Sequence, residues 1–123
     1  MPWNVETTEE FGLWFRALSG SETADVVSVI DALIEKGPGL GFPYTSKIIG
    51  SRHAHMRELR IQHAGRPYRV LYAFDPRRAA ILLLGGDKTG DNRWYQRNVP
   101  AADRLYDEHL RKLKIKEESD EAL

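Results

Sequence analysis

From Met56 to Phe74 the chain reads Met-Arg-Glu-Leu-Arg-Ile-Gln-His-Ala-Gly-Arg-Pro-Tyr-Arg-Val-Leu-Tyr-Ala-Phe, and the alternation in this stretch decides the fold. Leu59 and Ile61 fall on one side of an extended chain, with Glu58, Arg60 and Gln62 on the other. After a loop from His63 to Pro67, Tyr68, Val70, Tyr72 and Phe74 share one side, with Arg69, Leu71 and Ala73 on the other. A period of two marks strands, and the short glycine-containing loop marks a hairpin. If Leu59, Ile61, Val70 and Tyr72 face the core, Arg60 and Arg69 lie side by side on the opposite face. An arginine among apolar residues at a strand centre must stay wet, pair with an acid or bind something.

Outward from the hairpin, Asp75-Pro76-Arg77-Arg78 is a turn with proline at its second position. Ala79 to Leu84 is continuously apolar and predicts a strand covered on both faces. One cover is a helical hairpin near the N-terminus. Its first helix starts after Thr7 or Thr8, carries Phe11, Trp14, Phe15 and Leu18 on one face, and stops at Gly20. Its second starts at Ser21, carries Val26, Val27, Ile30, Leu33 and Ile34, and stops at Gly37-Pro38. The other cover is a C-terminal helix that begins at Pro100, with Ala102, Leu105, Tyr106, His109, Leu110 and Leu113 as its stripe. A short strand at Trp3–Glu6 precedes all of these. The order is β-α-α, an antiparallel meander, then a helix: an α+β domain over residues 1–116, with an acidic, frayed tail at 117–123.

Cysteine is absent, which excludes disulfides and thiolate metal sites. No apolar run reaches the roughly 18 residues of a membrane span, and the acidic start is not a basic leader, so a cytoplasmic protein is expected. Net charge is zero, yet it is unevenly placed: −5 over residues 1–46, +9 over 47–116 and −4 over 117–123. Such asymmetry points to an anionic partner for the middle of the chain. Within that segment Lys47, Arg57, Arg66 and Arg97 are candidates for RNA phosphate contacts. Asp91 to Arg97 interleaves aromatics with arginines, as single-stranded bases and phosphates require. His53 and His55 are spaced to share a strand face, but no further ligands accompany them, so neither a metal nor a cofactor is expected. Gly85-Gly86-Asp87-Lys88-Thr89-Gly90 is not a phosphate-binding P-loop, because Asp87 stands where glycine is needed.

Glu58-Leu59-Arg60, a short loop, Tyr68-Arg69-Val70-Leu71-Tyr72, then an apolar strand leading to Lys88-Thr89 resembles the RelE/HigB superfamily of toxin–antitoxin toxins, in its phage-derived, HigB-like branch. The resemblance runs from Trp3 to about Leu113 and implies a RelE-like fold. It further implies a type II toxin, an mRNA endoribonuclease acting in the ribosomal A site and neutralised by an antitoxin of helix-turn-helix type. On the same ground Arg69 holds the transition-state phosphate, Arg60 and Lys88 are basic neighbours, and Arg93 and Tyr95 match the C-terminal basic residue and tyrosine. HigB-like chains often carry two lysines before the threonine; here the first is Asp87, and an acid beside a phosphate opposes binding unless it points away.

RNA cleavage by 2′-OH attack needs a proton acceptor, charge stabilisation at phosphorus and a donor to the departing 5′-oxygen. Arginine suits the second role only, because it stays protonated. Lys88, Tyr95 and His55 are the candidates for proton transfer. Arg69, on the face away from the core, is replaceable by alanine without harm to the fold on this reading. Two alternatives stand beside the nuclease: a ParE-like inhibitor of a topoisomerase, and a catalytically inert interaction domain.

Overall fold

The computed structural model describes residues 2–121. Strand β1 (Val5–Thr7) leads into α1 (Glu9–Arg16) and α2 (Gly20–Lys36). A 3-10 turn (Gly37–Gly39), β2 (Thr45–Lys47), β3 (Arg57–His63), β4 (Arg66–Phe74), β5 (Ala80–Asp87) and α3 (Trp94–Glu121) follow. The sheet order is β1-β5-β4-β3-β2. β1 runs parallel to β5, and every other pair is antiparallel.

The hairpin forms as the alternation requires. Leu59 pairs with Val70, Ile61 with Tyr68, and Arg60 with Arg69. Its turn is only Ala64-Gly65, both with positive φ (50° and 78°), the backbone of a two-residue turn whose twist matches the strands. Ile61, Tyr68, Val70, Tyr72 and Leu82 pack with Phe11, Val26 and Leu33 beneath α1 and α2. Leu71, Ala73, Ile81, Leu83 and Leu84 pack on the other face against Trp94, Val99, Ala102 and Tyr106 of α3. The apolar strand is therefore covered on both sides.

Element ends differ from the sequence expectation: β1 is Val5–Thr7 and not Trp3–Glu6, and α1 ends at Arg16 and not at Gly20; three further differences have a visible cause. Ser19, not Ser21, caps α2. Its hydroxyl accepts from the Glu22 amide (3.2 Å) while Glu22 accepts from the Ser19 amide (2.8 Å), a reciprocal cap that satisfies two free amides and draws Gly20 into the helix. α3 starts at Trp94 and carries Pro100 inside it. An interior proline costs about 3 kcal/mol; burial of Trp94 and Val99, each contributing roughly 1.5–3 kcal/mol, offsets it. The helix also continues to Glu121, so the acidic stretch expected to fray is helical as far as it is described; Ala122 and Leu123 lie outside the described residues.

β5 carries a bulge. Leu71 faces Leu84 while Tyr72 faces Leu82, so Leu83 is an extra residue. The extra residue reverses the sidedness of everything after it. Gly85 turns to the helical-hairpin face, where a Cβ would stand 2.4 Å from the Trp14 ring. Gly86 turns to the α3 face, where a Cβ would stand 2.6 Å from Nε1 of Trp94. Both glycines lie beyond the apolar run Ala79–Leu84, yet they are strand residues that let two tryptophans sit on the sheet.

Candidate active site

Beyond the first turn of α3 the second sheet face is not apolar. Register puts Glu58, Arg60 and Arg69 there together, with Ser46 beside Glu58 on β2. Tyr95, in the first turn of α3, reaches them from above because Trp94 is locked over Gly86.

Glu58 organises the cluster. It is 4% exposed, and three hydrogen-bond donors and one further guanidinium converge on it. Ser46 Oγ donates to Oε2 at 2.6 Å and Arg60 to the same oxygen at 3.1 Å. Tyr95 Oη donates to Oε1 at 2.5 Å, and Arg69 Nε stands 3.5 Å from that oxygen. A buried carboxylate without such partners would be costly. From the sequence, Glu58 is only the first residue of the Glu58-Leu59-Arg60 motif and carries no role of its own. The signal for more was present in its place on Arg60's side of an apolar strand.

Arg69 is 4% exposed and is not on an open face, so it is not replaceable without consequence for the fold. One terminal nitrogen donates to the Tyr68 carbonyl at 2.9 Å, while Nε is buried with no hydrogen-bond partner among the described residues. The guanidinium thus holds an unused donor within a dry cluster. Burial, reinforced by the Glu58 carboxylate, pushes the Tyr95 phenol above its ordinary value of 10.0, so Tyr95 keeps its proton at neutral pH and serves as a donor. Lys88 Nζ lies 5.7 Å from the centre of the Tyr95 ring, and the Lys88 amide donates to the Pro67 carbonyl (3.0 Å), fixing the turn beside β4.

Asp87 does not oppose this cluster. The β5 bulge pairs it with Tyr68 on the helical-hairpin face. There Arg66 donates to it at 3.1 Å, and the Thr89 amide at 2.9 Å. Arg66 is occupied by the same contact and by the Tyr68 ring, 5.4 Å away.

The remaining candidates divide. Arg93 is exposed near the start of α3, and Arg97 pairs with Asp91. His53 and His55 share no strand: both lie in the loop before β3. His53 turns to Asp107 of α3, at 2.7 Å. His55 lines a groove with Lys47, Arg57, Tyr72 and Phe74. Register puts Lys47, Arg57 and Tyr72 on the helical-hairpin side of the sheet. The structure therefore joins Arg60, Arg69, Tyr95 and Lys88 around Glu58, and separates His55, Arg57 and Arg66 from them; Lys47, at the sheet edge, borders both the groove with His55 and Arg57 and a pocket with Glu58 and Tyr95. Among the described residues no group of three or more His, Asp or Glu is arranged to hold a metal ion, and no helix is long and apolar enough to cross a membrane.

Comparison with known proteins bears on the family and the fold. The family model described as "Phage derived protein Gp49-like" matches residues 13–107. The chain is 50% identical over 91 residues to the Mycobacterium tuberculosis protein named "Putative toxin HigB3", covering 73% of this chain and 78% of that one. It is 40% identical over 110 residues to "Putative toxin HigB2" of the same organism, covering 88% of this chain and spanning about half (54%) of that protein. Among solved structures, a free mutant of Escherichia coli toxin RelE superposes with a TM-score of 0.56 at 12% identity, over 91% of this chain and 98% of that one. A chain of the archaeal RelE-RelB complex from Pyrococcus horikoshii OT3 superposes with a TM-score of 0.52 at 17% identity, over 72% and 97%. These last two establish the RelE-like fold. With the helical hairpin, the mainly antiparallel sheet and the family match over most of its length, the chain belongs to the Gp49-like family of phage-derived proteins, within the RelE/HigB superfamily of toxins.

Proposed function

We propose that the chain is the toxin of a type II toxin–antitoxin system, an endoribonuclease that cuts mRNA in the ribosomal A site and is silenced by a cognate antitoxin of helix-turn-helix type. The observation that carries this reading is the buried cluster in which Arg60, Arg69 and Tyr95 are held by Glu58. Its parts match the three needs of 2′-OH attack. Arg69, with its unused Nε–H, takes a phosphate oxygen and stabilises the charge that grows at phosphorus; Arg60 and Lys88 flank it. Tyr95 gives its proton to the departing 5′-oxygen, which its raised pKa permits. Glu58 is the carboxylate of the cluster and accepts the 2′-hydroxyl proton. The phosphate displaces the Arg69–Glu58 contact, because Oε1 already faces Nε. Arg93, exposed just before α3, is a further phosphate contact.

Induction of the chain alone in bacteria, followed by mapping of new RNA 5′ ends, tests the proposal. Growth arrest with cuts inside translated frames supports it. Arrest with intact mRNA and broken DNA transfers the chain to the topoisomerase-inhibitor class, and the absence of arrest leaves an inert interaction domain.

A further inference from the structure

The groove on the other side of the sheet has no part in the chemistry above. It has a volume of about 520 Å³ and lies where α2 has ended at Lys36, so that the starts and ends of the strands are left without a helix over them. Its floor is Pro38, Tyr72 and Phe74; Lys47, His55 and Arg57 stand at its mouth. Neither Lys47 nor Arg57 pairs with a carboxylate among the described residues; Arg57 donates only to the Thr45 hydroxyl, at 3.3 Å. The groove therefore combines an apolar floor with free cations, beside the outermost strand β2.

We propose that this groove binds an acidic segment of the antitoxin, with an apolar side chain seated on the floor and carboxylates meeting Lys47 and Arg57. The proposal rests on the toxin reading above for the existence of that partner. Charge complementarity is the first argument: two free cations beside an apolar floor recruit and orient an anionic partner. The second separates a protein segment from an RNA strand. A base needs an open ring face to stack on. Tyr72 is 1% exposed, and its hydroxyl is bonded to Thr45 at 2.7 Å. Phe74 is engaged edge-to-face by both Trp3 (6.0 Å) and Tyr72 (6.1 Å). Tyr72 offers no face to a base, and the partly buried Phe74 ring is already held by two aromatic neighbours, whereas a small aliphatic side chain needs only the floor.

The test uses the full chain and the protein that copurifies with it from a strain expressing the native operon. Two variants are made: Lys47→Glu with Arg57→Glu, and Ala54→Glu, which adds a carboxylate at an exposed residue of the groove. Both should fold by circular dichroism and bind the partner at least tenfold more weakly, the loss shrinking as salt rises. Ala54→Glu should still arrest growth when induced alone, and escape silencing by the partner. Affinity for a short RNA should change less than twofold in Ala54→Glu. Unchanged partner affinity in both variants overturns the proposal, as does a loss of RNA affinity with partner binding intact. If the wild-type chain neither arrests growth nor retains a partner, the toxin reading itself fails and this inference falls with it; arrest and partner binding that survive the variants sink the groove alone.

Discussion

Arg69 shows how far one residue departs from its sequence context. Alternation correctly put it opposite Val70 and Tyr72, on Arg60's side. It could not show that α3 and Glu58 would close over it, because those contacts come from residues distant in sequence. The consequence is measurable. Arg69→Ala removes the partner of a buried carboxylate that keeps Ser46, Arg60 and Tyr95, so the chain should fold but lose about 1–3 kcal/mol of stability. Catalysis should fall further, by about 2.7–4 kcal/mol if the loss resembles that of an oxyanion-hole donor, or roughly a hundredfold or more in rate. Arg69→Lys should recover part of the stability and little of the rate, since an ammonium lacks the fork. Denaturant unfolding and growth after induction give the two readouts. A folded Arg69→Ala chain that still cuts mRNA at the wild-type rate removes Arg69 from the mechanism. Tyr95→Phe separates the roles more finely: loss of one hydroxyl donor to Glu58 should cost about 0.5–1.5 kcal/mol of stability, yet abolish most cleavage if the phenol supplies the proton. Cleavage that is unchanged in Tyr95→Phe moves that role elsewhere.

At the scale of elements, periodicity and capping chemistry made the hairpin, the two N-terminal helices and the covered strand legible. Three things were not. The Ser19 cap was obscured because Ser19 and Ser21 both precede an apolar stripe, and only the reciprocal bond with Glu22 distinguishes them. The start of α3 was obscured because proline usually opens a helix, whereas here burial of Trp94 and Val99 extends it backwards past Pro100. The bulge at Leu83 was hidden in a uniform run of leucines, where alternation carries no information. Yet the bulge decides the site, since without it Asp87 would share a face with Arg69. Gly86 is the other silent determinant. Gly86→Ala places a Cβ 2.6 Å from Trp94 Nε1, so α3 must lift and carry Tyr95 with it. Overpacking of this kind typically costs about 1–3 kcal/mol, and cleavage should fall by more than the stability loss explains. Ala64→Gly at the hairpin turn is the contrasting case. It relieves a positive φ of 50° and should stabilise by roughly 0.5–1 kcal/mol with activity unchanged. Equilibrium unfolding and initial cleavage rates, compared for the pair, distinguish a positioning effect from a global one.

Over the whole molecule, the acids do two kinds of work. Some hold the fold. The Tyr68 hydroxyl, with the Ser19 cap, lowers the Glu22 carboxyl to about 2. Burial opposes ionisation of Asp75, but His109, Arg77 and the Ala79 amide outweigh it and hold that carboxyl below its ordinary value of 3.8. Both shifts are downward, so the stability they give is present above the unfolded pKa near 4 and is lost as pH falls toward the folded values. Acid unfolding should therefore steepen below about pH 4, and Glu22→Gln should flatten that limb while leaving neutral-pH activity intact. Acids also cancel cations, Glu22 and Asp75 doing both: Asp87 and Glu22 hold Arg66, Asp91 holds Arg97, Glu6 and Asp75 hold Arg77. The acids of residues 47–116 are already subtracted in the +9 of that segment, so what limits phosphate binding at the site is how few of the remaining cations stand beside it. Lys88 and Arg93 beside the cluster have no carboxylate partner among the described residues, and Arg60 remains partly exposed. Binding of a short single-stranded RNA should weaken with salt at a slope of about −0.7 for each phosphate neutralised. Two or three such cations predict a slope between about −1.4 and −2.1, well short of what nine would give. Lys88→Ala should reduce it by about one such step, and Arg66→Ala, whose charge is already spent on Asp87, should leave it unchanged. A slope near zero removes RNA from the partners of this face. A slope near −6 means that cations along the whole segment, and not only those beside the cluster, track the strand together.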